Sequence, residues 1–111
     1  RGADVVLVLS ATTWPYDVVP MAQVPARAYE NSLFVAFCDQ AGRQNDFDFV
    51  GLSTACAPDG SVVARAGSDA GEMIFADLDQ SAFETYRRAH RYADLLRRDI
   101  YPAPQRLGAR P

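Results

Sequence analysis

Residues 4–10, DVVLVLS, form an unbroken aliphatic run that ends in a serine. A short run so rich in valine and leucine is typical of a strand buried on both faces of a sheet. Further apolar runs follow at residues 33–39, 49–57, 61–66 and 72–79. Because turn signals such as Pro-Asp-Gly at residues 58–60 separate several of these runs, the sequence predicts five strands.

Two segments have the spacing of helices. Residues 20–31 contain Pro25, which predicts a kink or a restart of the helix because proline lacks a donor N–H. Residues 81–99 carry a helical stripe, and Ser81 with Glu84 has the spacing of a capping box. The order β-α-β-β-β-β-α predicts an α+β fold, mostly β-sheet, with two helices on one face.

The strands at 33–39 and 49–57 are expected to form a hairpin around a polar loop at residues 40–48. Residue 38 would then lie opposite about residue 50, and Cys56 would be roughly 20 Å from Cys38 at ~3.3 Å per residue. A disulfide needs Cα atoms within about 7 Å. We therefore expect free thiols and a cytoplasmic location.

Charge and hydropathy argue against two classes of partner. The net charge is −3, and the basic residues, all 11 of them arginine, form no block before residue 87. Nucleic-acid binders normally present a basic face, so we expect no nucleic-acid partner. No apolar run approaches the ~20 residues of a membrane helix, so we expect no membrane partner. Residues 102–111 are rich in proline and predict an extended or disordered tail.

Four side chains are candidates for covalent or metal chemistry. Cys38 is followed by Asp39, whose charge is the wrong one for stabilising a thiolate, so packing is the favoured interpretation over nucleophilic catalysis. Cys56 is interpreted in the same way. His90 is the only histidine and is expected to be a solvated or half-buried helix residue. Ser53 lacks the second glycine of a nucleophile elbow. These residues predict no metal site and no cofactor.

The loop ATTWPYD, after the first strand, is the best candidate for ligand contact, because loops after buried strands commonly carry function. Thr12, Thr13, Trp14 and Tyr16 could line a pocket. Alternatively, Trp14 packs as a lid on the core.

A cluster of arginines near the C-terminus also has two interpretations. It is either a solvated helix face paired with interspersed acidic residues or a subunit contact. Its members are Arg87, Arg88, Arg91, Arg97 and Arg98.

Four stretches in sequence order carry a resemblance to a known family. They are RGADVVLVLSATTW, ARAYENSLFVAFCDQAG, FVGLSTACAPDGSVVARAG, and EMIFADLD followed by an arginine-rich helix and LLRRDIY. Together they resemble the nitrilase superfamily of carbon–nitrogen hydrolases. Within it, SATTWPYD and FVAFCDQAG are more similar to the amidase and N-carbamoyl amidohydrolase branches than to true nitrilases.

The resemblance implies a Glu–Lys–Cys triad that precedes the region matched here. The cysteine attacks the substrate carbon, the glutamate is the general base and the lysine stabilises the tetrahedral anion. This chain has no lysine, and Cys38 comes two elements too late to be the nucleophile. The resemblance therefore implies that this chain contains no catalytic residue and that Thr13, Trp14 and Tyr16 border the substrate pocket.

Two further roles follow from the resemblance. Arg27 and Glu30 are expected to form an internal polar contact that anchors the first helix behind the active site. Asp39 stands where the family more often has asparagine, which leaves its local hydrogen bonding open.

The family's fold is a four-layer αββα sandwich, of which this chain would supply half. Residues 1–101 are expected to form the C-terminal portion of the hydrolase domain, with its N-terminal half and a small amide or N-carbamoyl substrate as partners. A homo-oligomer is expected through the C-terminal helix and tail. The alternatives are a non-catalytic α+β module that dimerises through its sheet or arginine helix, and a pseudoenzyme of the same family.

Overall fold

The computed structural model describes residues 3–69, 71–90, 95, 97, 99 and 100. The elements of this part of the chain are β1 (Val5–Ser10), α1 (Val24–Asn31), β2 (Phe34–Asp39), β3 (Ala41–Gln44), β4 (Phe47–Val50), β5 (Thr54–Cys56), β6 (Val62–Arg65) and α2 (Gln80–Ala89). The sheet order is β1-β2-β5-β6, and β3 and β4 form a separate hairpin.

The β1–α1–β2 unit brings the first two strands into parallel pairing, whereas β2 with β5 and β5 with β6 are antiparallel. Ser10 is the register partner of Asp39, so the carboxyl ends of β1 and β2 lie side by side. A parallel pair requires a crossover connection, which α1 supplies.

The core lies between α1 and one face of the sheet. Val24 and Ala28, one helical turn apart, pack with Val35, Phe37 and Cys56 of the sheet. Cys56 and Ala28 are fully buried. Burying a side chain the size of valine or phenylalanine contributes about 1.5–3 kcal/mol, so this cluster stabilises the packing of α1 on the sheet.

The opposite face of the sheet is exposed at β1. Leu7 is 74% exposed and Leu9 86%, and the neighbouring Cys38 of β2 is also exposed. The prediction that β1 is buried on both faces is therefore wrong for the described residues. β1 lies at the edge of the sheet, and within the described chain no element covers these leucines.

The first helix restarts where the sequence predicted. A π-helical turn at Val19–Gln23 leads directly into α1, and Pro25 occupies the first turn of α1, where its missing N–H is tolerated. The helix ends at Asn31 because Ser32 adopts a left-handed conformation with φ 51°. The contact between Arg27 and Glu30 forms, but their side chains are 70% and 48% exposed, so the prediction of an internal contact is wrong.

The hairpin prediction for residues 33–57 is also wrong. The expected polar loop contains β3 and β4, which pair with each other across a turn at Asn45, a residue with φ 53°. The expected strand at 49–57 is interrupted because Gly51 and Leu52 both have positive φ. The chain thereby stops pairing with β3 and continues as β5 beside β2.

The strand predicted at residues 72–79 does not form in the described chain. Met73 is 77% exposed and Phe75 83%, and strand character requires a hydrogen-bonded neighbour that a local pattern cannot supply. Asp79 caps the helix that follows, accepting from the N–H groups of Ser81 and Ala82. The predicted capping box at Ser81 is therefore shifted, because the carboxylate two residues earlier occupies that role.

The second helix lies across the start of β2. Phe83 contacts Phe34 at 5.6 Å between ring centroids, and Tyr86 contacts Tyr29 of α1 at 6.5 Å. The helix is described as far as Ala89, so most of the predicted continuation to residue 99 and the predicted tail at 102–111 lie outside the described residues. A search of the described helices for a membrane-spanning stretch found none with the length and apolar content required.

Candidate functional site

The best candidate site lies at the carboxyl ends of β1 and β2. In sheets with parallel strands, ligands bind at this end, where the loops after neighbouring strands converge. Residues 12–16, which follow β1 and are called the site loop below, carry all three predicted substrate contacts. Asp39, the last residue of β2, lies beside the start of this loop.

The Asp39 carboxylate joins the two strand ends. Its Oδ1 accepts hydrogen bonds from the backbone N–H of Thr12 at 2.7 Å and of Gln40 at 3.1 Å. The Asp39 side chain is buried, and its Oδ2 has no hydrogen-bond partner within the described chain. The Oδ1 bonds need only an acceptor, so an asparagine carbonyl oxygen could make them as well.

Ser53 fixes the backbone of Asp39. The Asp39 N–H donates to Ser53 Oγ at 3.0 Å, and the Ser53 hydroxyl lies 3.3 Å from the Asp39 carbonyl oxygen, to which it donates. Because this hydroxyl is engaged with backbone groups, it serves a structural role. The rejection of Ser53 as a nucleophile therefore agrees with its surroundings.

The β3–β4 hairpin supports the other side of the site loop. The Trp14 N–H donates to the Asp48 carbonyl oxygen at 2.9 Å, and the Val50 N–H donates to the Thr12 carbonyl oxygen at 2.9 Å. An isolated bridge pairs Thr13 with Phe49. The sequence analysis missed this support, and the signal that could have found it is the Asn45 turn between two short alternating stretches.

The three predicted substrate contacts share one exposed loop. Trp14 is 44% exposed and Tyr16 60%, and Thr13 is half-buried. Trp14 is therefore not a lid packed on the core of the described chain. The role of Thr13, Trp14 and Tyr16 in substrate binding stays a prediction.

A small cavity of about 170 Å³ lies beside Asp39, between the end of β2 and the turns near residues 51 and 67. Its lining includes Cys38, Asp39, Ser53, Asp69 and Glu72. In the described part of the chain, no group of three or more His, Cys, Asp or Glu side chains could hold a metal ion.

The two cysteines lie on opposite faces of the sheet. Cys56 is the register partner of Val35 on the α1 face, and Cys38, three positions further along β2, lies on the other face beside Leu9. Both thiols are free. Their separation along the strand is about 10 Å, half of that expected, because β5 pairs with β2 in a different register from the predicted hairpin.

The expectation that both cysteines are packed is confirmed for Cys56, which is fully buried in the core cluster, and not for Cys38. Burial raises the pKa of the Cys56 thiol, and the charge of Arg65 opposes this rise in part. Cys38 is exposed, so the prediction that it packs within the sheet is wrong for the described chain.

His90 does not join Cys38 in a catalytic pair. Its ring stacks on Tyr86 at 4.0 Å between centroids, and its carbonyl oxygen lies 3.5 Å from Ser32 Oγ, just before β2 begins. Cys38 lies near the other end of the same strand, about 20 Å away at ~3.3 Å per residue.

The described arginines of α2 form surface ion pairs. Arg88 pairs with Glu84 at i,i+4, and Arg87 pairs with Asp4, which directly precedes β1. These pairs favour the solvated-face interpretation for this part of the cluster, whereas Arg91 and Arg98 lie outside the described residues.

Comparison with known proteins identifies the family to which this architecture belongs. The family model of carbon–nitrogen hydrolases matches residues 1–88. The chain belongs to the carbon–nitrogen hydrolase family. The 2-oxoglutaramate amidase of Bacillus subtilis is 31% identical to this chain over 103 residues, which cover 91% of this chain and 39% of that relative. The chain thus spans about two fifths of this relative's length.

Two solved structures agree with this membership. The NitFhit protein of C. elegans superposes with a TM-score of 0.83 at 31% identity, covering 91% of this chain and 25% of that one. An amidase from Nesterenkonia sp. AN1, in a mutant whose active-site cysteine carries a covalent acetamide moiety, gives a TM-score of 0.65 at 30% identity, with 86% and 36% coverage. The resemblance to the nitrilase superfamily and the small α+β, nitrilase-like fold are therefore confirmed.

Proposed function

We propose that this chain is the C-terminal part of a carbon–nitrogen hydrolase that cleaves a non-peptide C–N bond of a small amide or N-carbamoyl compound. The observation that carries the proposal is the match to the family over residues 1–88, with amidases among the relatives. In this proposal residues 1–101 belong to the hydrolase domain and residues 102–111 follow it as a tail.

The proposed reaction is a thiol acyl transfer. A cysteine thiolate attacks the amide carbon, a lysine stabilises the tetrahedral oxyanion, and a glutamate takes and delivers the proton that leaves with ammonia. Water then hydrolyses the thioester and releases the acid. The covalent adduct on the active-site cysteine of the Nesterenkonia amidase supports this chemistry.

We propose that all three members of the triad lie in polypeptide that precedes Arg1. The absence of lysine from the 111 residues supports this placement, since the oxyanion would lack its cation. The burial of Cys56, which raises the pKa of its thiol, makes that residue a poor nucleophile. Thr13, Trp14 and Tyr16 would border the substrate at the edge of the completed site.

The exposed sheet face supports a second β-layer as partner. Leu7 and Leu9, together with Cys38, would be covered by the N-terminal half of the domain, as the β-layers of a sandwich cover each other. We propose a cytoplasmic location, which the two free cysteines favour, and a homo-oligomer formed through α2 and the residues after it.

The test uses the complete product of the gene, compared with the 111-residue chain alone. We expect the coding sequence before Arg1 to contain a cysteine about a dozen residues upstream, with a lysine and a glutamate further back. The complete product should release ammonia from 2-oxoglutaramate or from an N-carbamoyl amino acid, and the short chain should release none.

Three outcomes would contradict the proposal. Turnover by the short chain would refute the placement of the triad. A start codon at the beginning of this chain would favour the non-catalytic module. A complete product that contains all three triad residues and hydrolyses neither class of substrate would favour the pseudoenzyme.

A further inference from the structure

Three segments that are distant in sequence meet at Asp39. The residue ends β2, its carboxylate accepts the Thr12 N–H at the start of the site loop, and its backbone is bonded on both sides to Ser53. The residue is only 7% exposed, so water competes little for these bonds. A bond from a backbone N–H to a buried carboxylate is among the stronger hydrogen bonds in proteins.

The other attachments of the site loop are of a different kind. Thr12 and Trp14 bond to β4 through backbone groups alone, which any residue except proline could supply in those positions. Besides the contact between the Ser10 and Thr12 hydroxyls at 3.1 Å, which lies within one segment, Asp39 provides a side-chain attachment from another strand, and it acts on the residue directly before Thr13. Replacing Asp39 should therefore free the start of the loop without removing its bonds to β4.

We propose that Asp39 is the positioning residue of the site loop, and that Ser53 orients Asp39 for this role. The hydrogen bond from Thr12 to Oδ1 fixes where the loop leaves β1 and so determines where Thr13, Trp14 and Tyr16 are presented. Its consequence for catalysis rests on the proposed function, whereas its consequence for the loop does not. A displacement of about 1 Å in substrate-positioning groups lowers rates by as much as 100-fold.

The experiment compares Asp39→Ala with two matched variants. Asp39→Asn keeps a carbonyl oxygen at the acceptor position. Asp48→Ala removes an exposed carboxylate next to the same loop but leaves the backbone carbonyl that Trp14 uses. Trp14 is the only tryptophan in the 111-residue chain, so its fluorescence reports on the loop directly.

The first readouts are hydrogen exchange at the Thr12 amide and acrylamide quenching of Trp14 in the 111-residue chain. In Asp39→Ala we expect exchange at Thr12 to rise about tenfold, with greater quenching, because a buried hydrogen bond to a charged acceptor is lost. Exchange at Val35 and Cys56 in the core should not change. In Asp39→Asn and Asp48→Ala, the exchange rate of the Thr12 amide should stay within about threefold of the rate in the unmodified chain.

The second readout is kcat/KM in the complete gene product. We expect kcat/KM to fall about tenfold or more in Asp39→Ala and to be restored in Asp39→Asn. The reason is that the position of the loop depends on an acceptor oxygen for the Thr12 N–H, which asparagine retains. If the unmodified product has no amidase activity, the proposed function fails, and the exchange and fluorescence measurements still test the role of Asp39.

Three results would overturn the inference. One is unchanged exchange at Thr12 and unchanged quenching of Trp14 in Asp39→Ala. Another is an equal effect of Asp48→Ala. The third is a uniform rise in exchange across the core, which would show a general loss of stability. If Asp39→Ala does not fold, Ser53→Ala replaces it: faster exchange at Thr12 supports the inference, and unchanged exchange refutes it.

Discussion

Leu9 of β1 and Cys38 of β2 are register partners, and both are exposed on the sheet face opposite α1. Leu7 lies two residues away on the same face. Contiguous apolar surface on a sheet is typical of a surface that another layer covers. Much of this molecule's behaviour in solution should follow from this face.

We predict that the isolated chain associates through the Leu9 face. Leu9→Lys should shift its elution in size-exclusion chromatography toward the monomer, because a charged side chain cannot be buried against a second copy. Val18→Lys, at a residue that is 50% exposed elsewhere, is the matched control and should leave elution unchanged. A chain that is already monomeric would contradict this prediction.

We predict that the two thiols differ in reactivity. Cys38 should react with a thiol reagent in the native protein, whereas Cys56 should react only after unfolding, because it is fully buried. Cys38→Ser should abolish the fast phase of thiol labelling and leave the slow phase, in which Cys56 reacts when the chain unfolds. In the complete gene product Cys38 should be protected, and fast labelling there would show that the second layer does not cover this face.

Burial of Cys56 also predicts a dependence of stability on pH. Its folded pKa is raised, so the unfolded chain loses the thiol proton at lower pH than the folded chain. The free energy of unfolding should therefore be constant below the unfolded pKa of about 8.5 and decrease as the pH rises from there toward the folded pKa. Urea titrations at pH 7 and pH 9.5 test this, and Cys56→Ala should lose the dependence.

Gly51 is predicted to be the most sensitive of the turn glycines. Its φ is +66°, and an added Cβ would lie 3.0 Å from both Ala41 Cβ and the Gly67 carbonyl oxygen. Gly51→Ala should lower the free energy of unfolding by about 3 kcal/mol, because backbone strain and crowding add together. Gly71 has φ +84°, and an added Cβ would meet no atom of the described residues within 4 Å, so Gly71→Ala should lower the free energy of unfolding by about 1 kcal/mol. If urea titrations show that both variants lose the same free energy of unfolding, crowding at Gly51 is unimportant.

At the N-terminus of α2, one prediction distinguishes the observed cap, Asp79, from Glu84 of the predicted capping box. Asp79→Ala should lower the thermal midpoint, because the N–H groups of Ser81 and Ala82 lose their acceptor. Glu84→Ala should have little effect, since Glu84 makes an exposed ion pair with Arg88 instead of a capping bond. A larger effect at Glu84 would restore the capping-box interpretation.

The Asp79 cap should also weaken in acid. Hydrogen bonds from the Ser81 hydroxyl and from the N–H groups of Ala82 and Ser81 lower the pKa of Asp79. Its stabilising effect should be complete above the unfolded pKa of about 3.9 and disappear as the pH falls through the folded value. Helix content followed by circular dichroism should show this loss in the unmodified chain and not in Asp79→Ala.

Local patterns in the sequence determined where β1, β2 and β6 lie and where α1 restarts at Pro25. Aliphatic runs, turn residues and proline act over a few neighbouring residues, so they can be recognised without the fold. Four motifs in order were also enough to recognise the family and its α+β architecture. The same information placed the candidate loop after β1.

The tertiary structure alone decided which strands pair and which faces are covered. The switch from β4 to β5 at Gly51, the exposure of Leu9 and Cys38, and the failure of residues 72–79 to form a strand all depend on neighbours distant in sequence. The attachment of Thr12 to Asp39 spans 27 residues and has no local signature. Pairing and burial are properties of contacts between segments, and a periodic pattern records only that a residue prefers to be covered.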